Sequence, residues 1–200
     1  MAHARTPRDA WIRAGLDALG EGGPELVRVE ELARRLGVTK GGFYGYFDGR
    51  ARLLSEMLDA WEREAADAVI DEADAVGGSD VAERLRALTR GAKARAGAKG
   101  VELAIRDWAR RDPAIAERTR RVDRTRMAYL HRLFLEVTGD EREAAARAAL
   151  TAGVWLSSHL MRYDTAGYDH DDVLSLAFAR TVWLTGEPAH DHPRNGEPNP

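Results

Sequence analysis

The stretch that decides the fold runs from Arg28 to Leu54, RVEELARRLGVTKGGFYGYFDGRARLL. It reads as a short helix ending at a Leu36-Gly37-Val38 turn, a second short helix rich in small and aromatic residues, and the start of a longer third helix. Leu32, Ala33 and Leu36 form the inner stripe of the first of these, and Gly37, lacking a Cβ, eases the chain reversal. Thr39 is placed to cap the next helix. There Phe43 and Phe47, four residues apart, point to the core and leave Lys40, Gly42 and Tyr44 facing outward. A helix-turn-helix of this kind offers one narrow, aromatic-tipped helix to a DNA groove.

Upstream, Thr6 is a cap for a supporting helix with Pro7 at its opening position and Trp11, Ile12, Gly15, Leu16 and Leu19 on its inner side. Downstream, a helix opening near Gly49 and Arg50 runs through Leu53, Met57 and Trp61 towards Glu72, long enough to link two domains. Gly77-Gly78-Ser79 interrupts it, and Asp80 with Glu83 has capping-box spacing, so a new domain is expected to begin about here. The basic Ala/Gly-rich GAKARAGAKG reads as a frayed helix end before a short helix over Val101 to Arg111. Asp112-Pro113 pairs a cap with proline at the first helical position of a long helix ending at Gly139, and Asp140 with Glu143 repeats the capping spacing. Two last helices are expected over Asp140 to Tyr163 and Asp169 to Thr185. Alternating β-branched runs are absent, which makes the fold class all-α: a three-helix helix-turn-helix domain over 1–50, a larger helical domain over 51–186 and a disordered tail over 187–200.

Composition narrows the partners. Among 200 residues, 30 Lys and Arg nearly balance 33 Asp and Glu, so DNA binding must come from a local patch and not from bulk charge. There is no cysteine, which removes disulfides, thiolate nucleophiles and Cys-based zinc sites. No segment approaches the roughly 20 apolar residues of a membrane span, and the expected location is cytoplasmic.

Gly22, the run LARRLGVTKG from Leu32 to Gly41, Phe43-Tyr44, Phe47 and Arg50 together resemble the tetracycline-repressor (TetR) family of bacterial transcription regulators, most strongly over Arg8 to Trp61. The resemblance implies DNA-facing positions at Thr39, Lys40, Gly41, Gly42, Tyr44 and Tyr46, with Arg50 in the place of a phosphate-binding Lys. Each has a physical rationale: a phosphate at Thr39 and the helix amides behind it, a guanine edge or phosphate for Lys40, phosphates for the tyrosines, and charge for Arg50. The family more often has Ser, Thr or Ala at Gly42 and a larger residue or His at Gly45, so direct readout narrows to Lys40 and Tyr44. Asp48 replaces a frequent Lys and is either a cap for the following helix or a DNA-repelling carboxylate. Glu30 and Glu31 also replace a basic residue, which a phosphate contact from Arg28 offsets.

The same resemblance, weaker here, implies that the larger domain buries a small-molecule effector and forms a homodimer through its last two helices. Wall candidates are Leu103, Trp108, Met127, Tyr129, Phe134, Trp155, His159 and Tyr163, which mix apolar bulk with polar tips; each also suits an ordinary core. Leu150, Val154, Ser157, Met161, Val173 and Leu176 are the dimer-interface candidates, because both helices are apolar over more than one face. The arginines from Arg106 to Arg126 interleave with Asp107, Asp112, Glu117 and Asp123 and read as a solvated, ion-paired face.

No P-loop, dinucleotide fingerprint, HExxH or GxSxG motif occurs, and neither a cofactor nor a structural metal is expected; His190 and His192, or His170 with Asp171 and Asp172, are weak metal candidates only. The expected function is a DNA-binding, ligand-responsive repressor that binds a pseudo-palindromic operator in double-stranded DNA as a dimer. A helical ligand-binding or interaction module with a vestigial DNA domain, and an uncatalogued all-α enzyme, are the alternatives.

Overall fold

A computed structural model describes residues 7–78, 80–94, 99–163 and 167–183. Thr6, His190, His192 and the tail expected over 187–200 lie outside them. The described residues form helices joined by turns: α1 (Arg8–Gly22), α2 (Val29–Leu36), α3 (Lys40–Tyr44), α4 (Arg50–Glu62), α5 (Ala68–Gly77), α6 (Val81–Ala94), α7 (Lys99–Ala109), α8 (Pro113–Thr138), α9 (Glu141–Ser157) and α10 (His170–Trp183). The fold is all-α.

Local chemistry sets most of these boundaries. The α2 helix ends where Gly37 takes the left-handed conformation at φ 67°, and the Val38 N–H reaches back to the Ala33 carbonyl at 2.9 Å. This six-residue closure satisfies carbonyls that the helix end would leave orphaned. Asp112 caps α8 through the N–H groups of Ala114 and Ile115, and Asp140 caps α9 through those of Arg142 and Glu143. Asp80 does the same for α6 at Ala82 and Glu83, although Glu83 turns to Arg86 and Arg90 instead of closing the box.

Several boundaries differ from the sequence expectation. Pro7 occupies the cap position of α1, one residue before the helix. Asp48 does not cap α4: Gly49 holds that position without a side-chain bond, and Asp48 is exposed one residue too far out. The α9 helix stops at Ser157 instead of reaching Tyr163. There the hydroxyls of Ser157 and Ser158 donate to the carbonyls of Val154 and Trp155, competing with the helical ladder as it tightens into three-residue turns. Between α4 and α5 lies a π-helical segment, Arg63–Asp67, which periodicity did not foretell.

Two cores form. The first unites Trp11, Leu19, Leu32, Phe43, Phe47 and Met57 with Val101 and Ile105 of α7 and Ile115 and Val122 of α8. It therefore reaches across the expected division at residues 50 and 51. The second joins Ala73, Leu85, Leu133, Phe134 and Ala148, so the two halves of α8 serve different cores. The α1 helix crosses α7 at a pair of glycines so close that a Cβ on Gly100 would lie 2.7 Å from the Gly20 carbonyl oxygen. At Gly15 a Cβ would meet the Met57 sulfur at 2.6 Å, which sets the equally tight approach of α1 to α4.

Candidate nucleic-acid interface and effector cavity

The α3 helix is presented by an aromatic stack beneath it. Phe43 is fully buried edge-on to Trp11 of α1, with ring centroids 5.4 Å apart, and stacked on Phe47 at 5.1 Å. The outward side then follows from helical spacing. Tyr44 is 62% exposed and leans edge-on against Phe43; Tyr46 is half-buried against the same core. Thr39 stands exposed at the cap position with extended backbone and no side-chain cap bond. With only five residues, α3 sums little more than one turn of peptide dipoles, so the dipole contribution expected at Thr39 is small.

The charges on this face are largely self-neutralised. Lys40 Nζ lies 2.6 Å from Glu30 Oε1, a bond that holds the Glu30 carboxyl below its ordinary range. Glu31 binds Arg34 and Arg35, which draw it down to about 2, and Arg35 also pairs with Glu21 at 2.7 Å. Arg28, at the α2 cap position, is exposed and donates from Nε to the Glu25 carbonyl at 3.1 Å. Arg50, which the resemblance puts in the place of a phosphate-binding Lys, is bonded within the chain. Its Nε donates to the Val27 carbonyl at 2.7 Å and its Nη2 to the Pro24 carbonyl, so the guanidinium fork ties the start of α4 to the turn before α2.

Gly41 and Gly42 are not imposed by crowding. A Cβ at Gly41 would find Thr39 Oγ1 at 3.7 Å and one at Gly42 a Trp11 ring atom at 3.9 Å, both ordinary contacts. The missing side chains leave the backbone of α3 uncovered at these two positions.

Behind this module is a cavity of about 380 Å³. Leu16 of α1, Trp61 of α4, Ile70 of α5, Leu85 of α6, Val101 of α7 and Phe178 of α10 contribute to its walls. Of the wall residues expected from sequence, Tyr129, Trp155 and His159 line it. The others sit elsewhere. Phe134 and Met127 belong to the second core, Trp108 packs on the first, Leu103 is half-buried outside the lining, and Tyr163 bonds Ser157 and stacks on His170 at 5.2 Å. Tyr129 gives its hydroxyl to Asp74 at 2.5 Å, and desolvation, then that carboxylate, pushes its pKa upward.

Sequence reasoning missed Trp61, Glu102, Arg126 and Thr151 as lining residues. The sequence pattern puts Arg126 on a solvated, ion-paired face. That reading fits Arg120 and Arg124, which pair with Glu117, but Arg106 and Arg126 turn inward to the buried Glu102, while Arg118 clamps Asp59 and Glu62 of α4. The spacing of Arg126, Tyr129 and Leu130 on one face of α8 was the signal available. The π-helical segment contributes too, because its Ala65 carbonyl accepts from Arg126 Nε at 2.9 Å.

Of the dimer-interface candidates, Leu150, Met161 and Leu176 are 53%, 60% and 58% exposed, and Val154, Ser157 and Val173 are half-buried. Among the described residues no group of three or more His, Cys, Asp or Glu side chains could hold a metal ion, and His170 instead accepts from the Tyr163 N–H at 3.1 Å. No described helix is long and apolar enough to cross a membrane.

Comparison with known proteins places this geometry. Residues 12–57 match the family described as bacterial regulatory proteins, tetR family. The transcriptional regulator AcuR of Cereibacter sphaeroides is 37% identical over 87 residues, 44% of this chain and 39% of AcuR, so the chain matches about two fifths of that relative's length. Over 88% of this chain and 95% of the other, the fold matches a transcriptional regulator from Rhodococcus sp. Rha1 with a TM-score of 0.66 at 24% identity. A TetR-family regulator from Bordetella parapertussis matches over 91% of this chain and 98% of its own with a TM-score of 0.61 at 16% identity. The matched segment coincides with the module that presents α3, and the body behind it shares the fold of these regulators.

Proposed function

We propose that the chain is a DNA-binding transcriptional regulator that binds a pseudo-palindromic operator as a homodimer and is released from it by a small molecule held in the cavity. One observation carries the reading: α1 is both a wall of the cavity, through Leu16, and the support of the recognition helix, through Trp11 against Phe43. A ligand that shifts α1 therefore shifts α3. By linkage, a ligand favouring the geometry with misplaced recognition helices weakens operator affinity by the same factor that the operator weakens ligand binding. In a dimer the two α3 helices must meet major grooves about 34 Å apart, so small pivots suffice. Lys40, Tyr44, Thr39 and the backbone at Gly41 and Gly42 face the DNA, with Tyr46 and Arg28 at its phosphates. The place of action is the cytoplasm, where the DNA is, and the role is repression, not catalysis.

The test is titration of the DNA flanking its own gene at several salt concentrations. Tight binding that falls steeply with salt supports the reading; salt-insensitive or absent binding removes it. The pairing of Lys40 with Glu30 and the capture of Arg50 favour a second reading, a ligand-binding module whose DNA face is spent, and the same titration decides between them.

A further inference from the structure

We propose that the cavity takes an uncharged, flat molecule of about two aromatic rings carrying one hydroxyl or carbonyl oxygen, with the Thr151 hydroxyl as its polar contact. This rests on reading the cavity as the effector site. Its size comes first: about 380 Å³ filled at the density of a protein interior holds on the order of fifteen non-hydrogen atoms. Trp61, Tyr129 and Trp155 give the walls flat faces suited to rings of that size.

Charge is the deciding property. The charged groups deepest in the wall, Glu102 and Arg126, already satisfy each other. Glu102, 4% exposed, accepts from Arg126 at 3.2 and 3.3 Å, from Arg106 at 2.8 Å and from the Trp61 indole at 3.2 Å. Asp123 closes the set by binding Arg106 at 2.7 and 3.1 Å. Two carboxylates thus face two guanidiniums with no net charge left over. Arg126 also gives Nε to the Ala65 carbonyl and lies over the Trp155 ring at 4.4 Å. An anion would have to break this set to gain a partner, and a cation would find one face of Trp155 already covered by a guanidinium. Arg13, Asp17 and Glu64, the remaining charged lining residues, are exposed to solvent and screened by it.

One polar group in the wall is unused. Thr151 is 7% exposed, lines the cavity, and its Oγ1 is buried without a hydrogen-bond partner. Buried hydroxyls are ordinarily satisfied, and a turn of Thr151 about χ1, between the two rotamers a helical threonine adopts, brings Oγ1 to a ligand oxygen in the cavity and supplies the missing bond.

Isothermal titration of the full, DNA-free chain with 2-naphthol, 2-naphthoate, naphthalene and decanoate tests this. The expected result is that 2-naphthol binds at least tenfold tighter than either carboxylate. Thr151→Val then weakens 2-naphthol about 3- to 10-fold and leaves naphthalene unchanged, while Thr151→Ser, which keeps the hydroxyl, retains 2-naphthol binding. Equal or tighter binding of 2-naphthoate or decanoate, an unaltered 2-naphthol affinity in Thr151→Val, or no binding of 2-naphthol overturns the proposal. Because no DNA is present, such a failure leaves the operator-binding reading standing, and loss of that reading leaves this result standing.

Discussion

Lys40 of α3 is held by Glu30 of α2, Nζ to Oε1 at 2.6 Å, so on the proposed DNA face this cation already has a partner. In the proposed DNA complex, Lys40 exchanges one partner for another. Glu30→Gln releases Lys40 and removes a negative charge from the face. Operator affinity is expected to rise several-fold at low salt, with the log–log salt dependence steeper by about one. Fluorescence anisotropy with a labelled operator measures both, and identical curves for variant and parent would show that the pair has no bearing on DNA.

Arg50 acts on stability more than on phosphate. Its fork holds the carbonyls of Val27 and Pro24, and hydrogen bonds from a charged donor contribute about 1.5–3 kcal/mol. Arg50→Ala should lower the melting temperature of the DNA-free protein measurably. An unchanged melting curve accompanied by weaker operator binding would return Arg50 to the phosphate backbone.

The glycines of α3 and of the α1–α7 crossing respond in opposite directions. Gly42→Ala meets only a Trp11 ring atom at 3.9 Å, so higher helix propensity should stabilise the fold by about 0.5–1 kcal/mol. Gly100→Ala drives a Cβ to 2.7 Å from the Gly20 carbonyl oxygen, and overpacking should destabilise by about 1–3 kcal/mol. Denaturant midpoints with unchanged slopes would establish both; a neutral Gly100→Ala would mean that α1 and α7 separate freely.

Leu150 and Leu176 test self-association. Both are more than half exposed, on α9 and α10 respectively, and a charge at either would be buried in an interface built on these helices. Leu150→Glu and Leu176→Glu should move the protein from dimer towards monomer in sedimentation equilibrium. A dimer that survives both substitutions uses another surface.

What the sequence revealed and what it hid divide along chain separation. Asp112 with Pro113, Asp140, Asp80 and the Gly37 and Gly139 stops were readable because a cap and its target lie within a few residues. Phe43 and Phe47 were readable as core from a spacing of four. The intrachain bonds of Arg50 were not legible because its acceptors lie 23 and 26 residues upstream, nor those of Arg126 because Glu102 lies 24 away, distances over which a basic residue looks alike whether it is bonded inward or solvated. Asp48 shows the opposite limit: a register error of one residue turns a plausible cap into an exposed carboxylate.

The π-helical turn at Arg63–Asp67 gives the α4–α5 rod the form of an insertion that has been kept. A turn that holds one residue more than its neighbours rotates everything beyond it by about 100° relative to an unbroken α-helix. Deleting a single residue there would restore an unbroken α-helix without turning Val69 and Ile70 from the cavity, because the residue lost and the offset lost cancel. The cavity wall beyond the turn and the first core before it thus keep their relative aim whether that residue is present or lost, and only a change that forces the α-form at full length would turn one against the other.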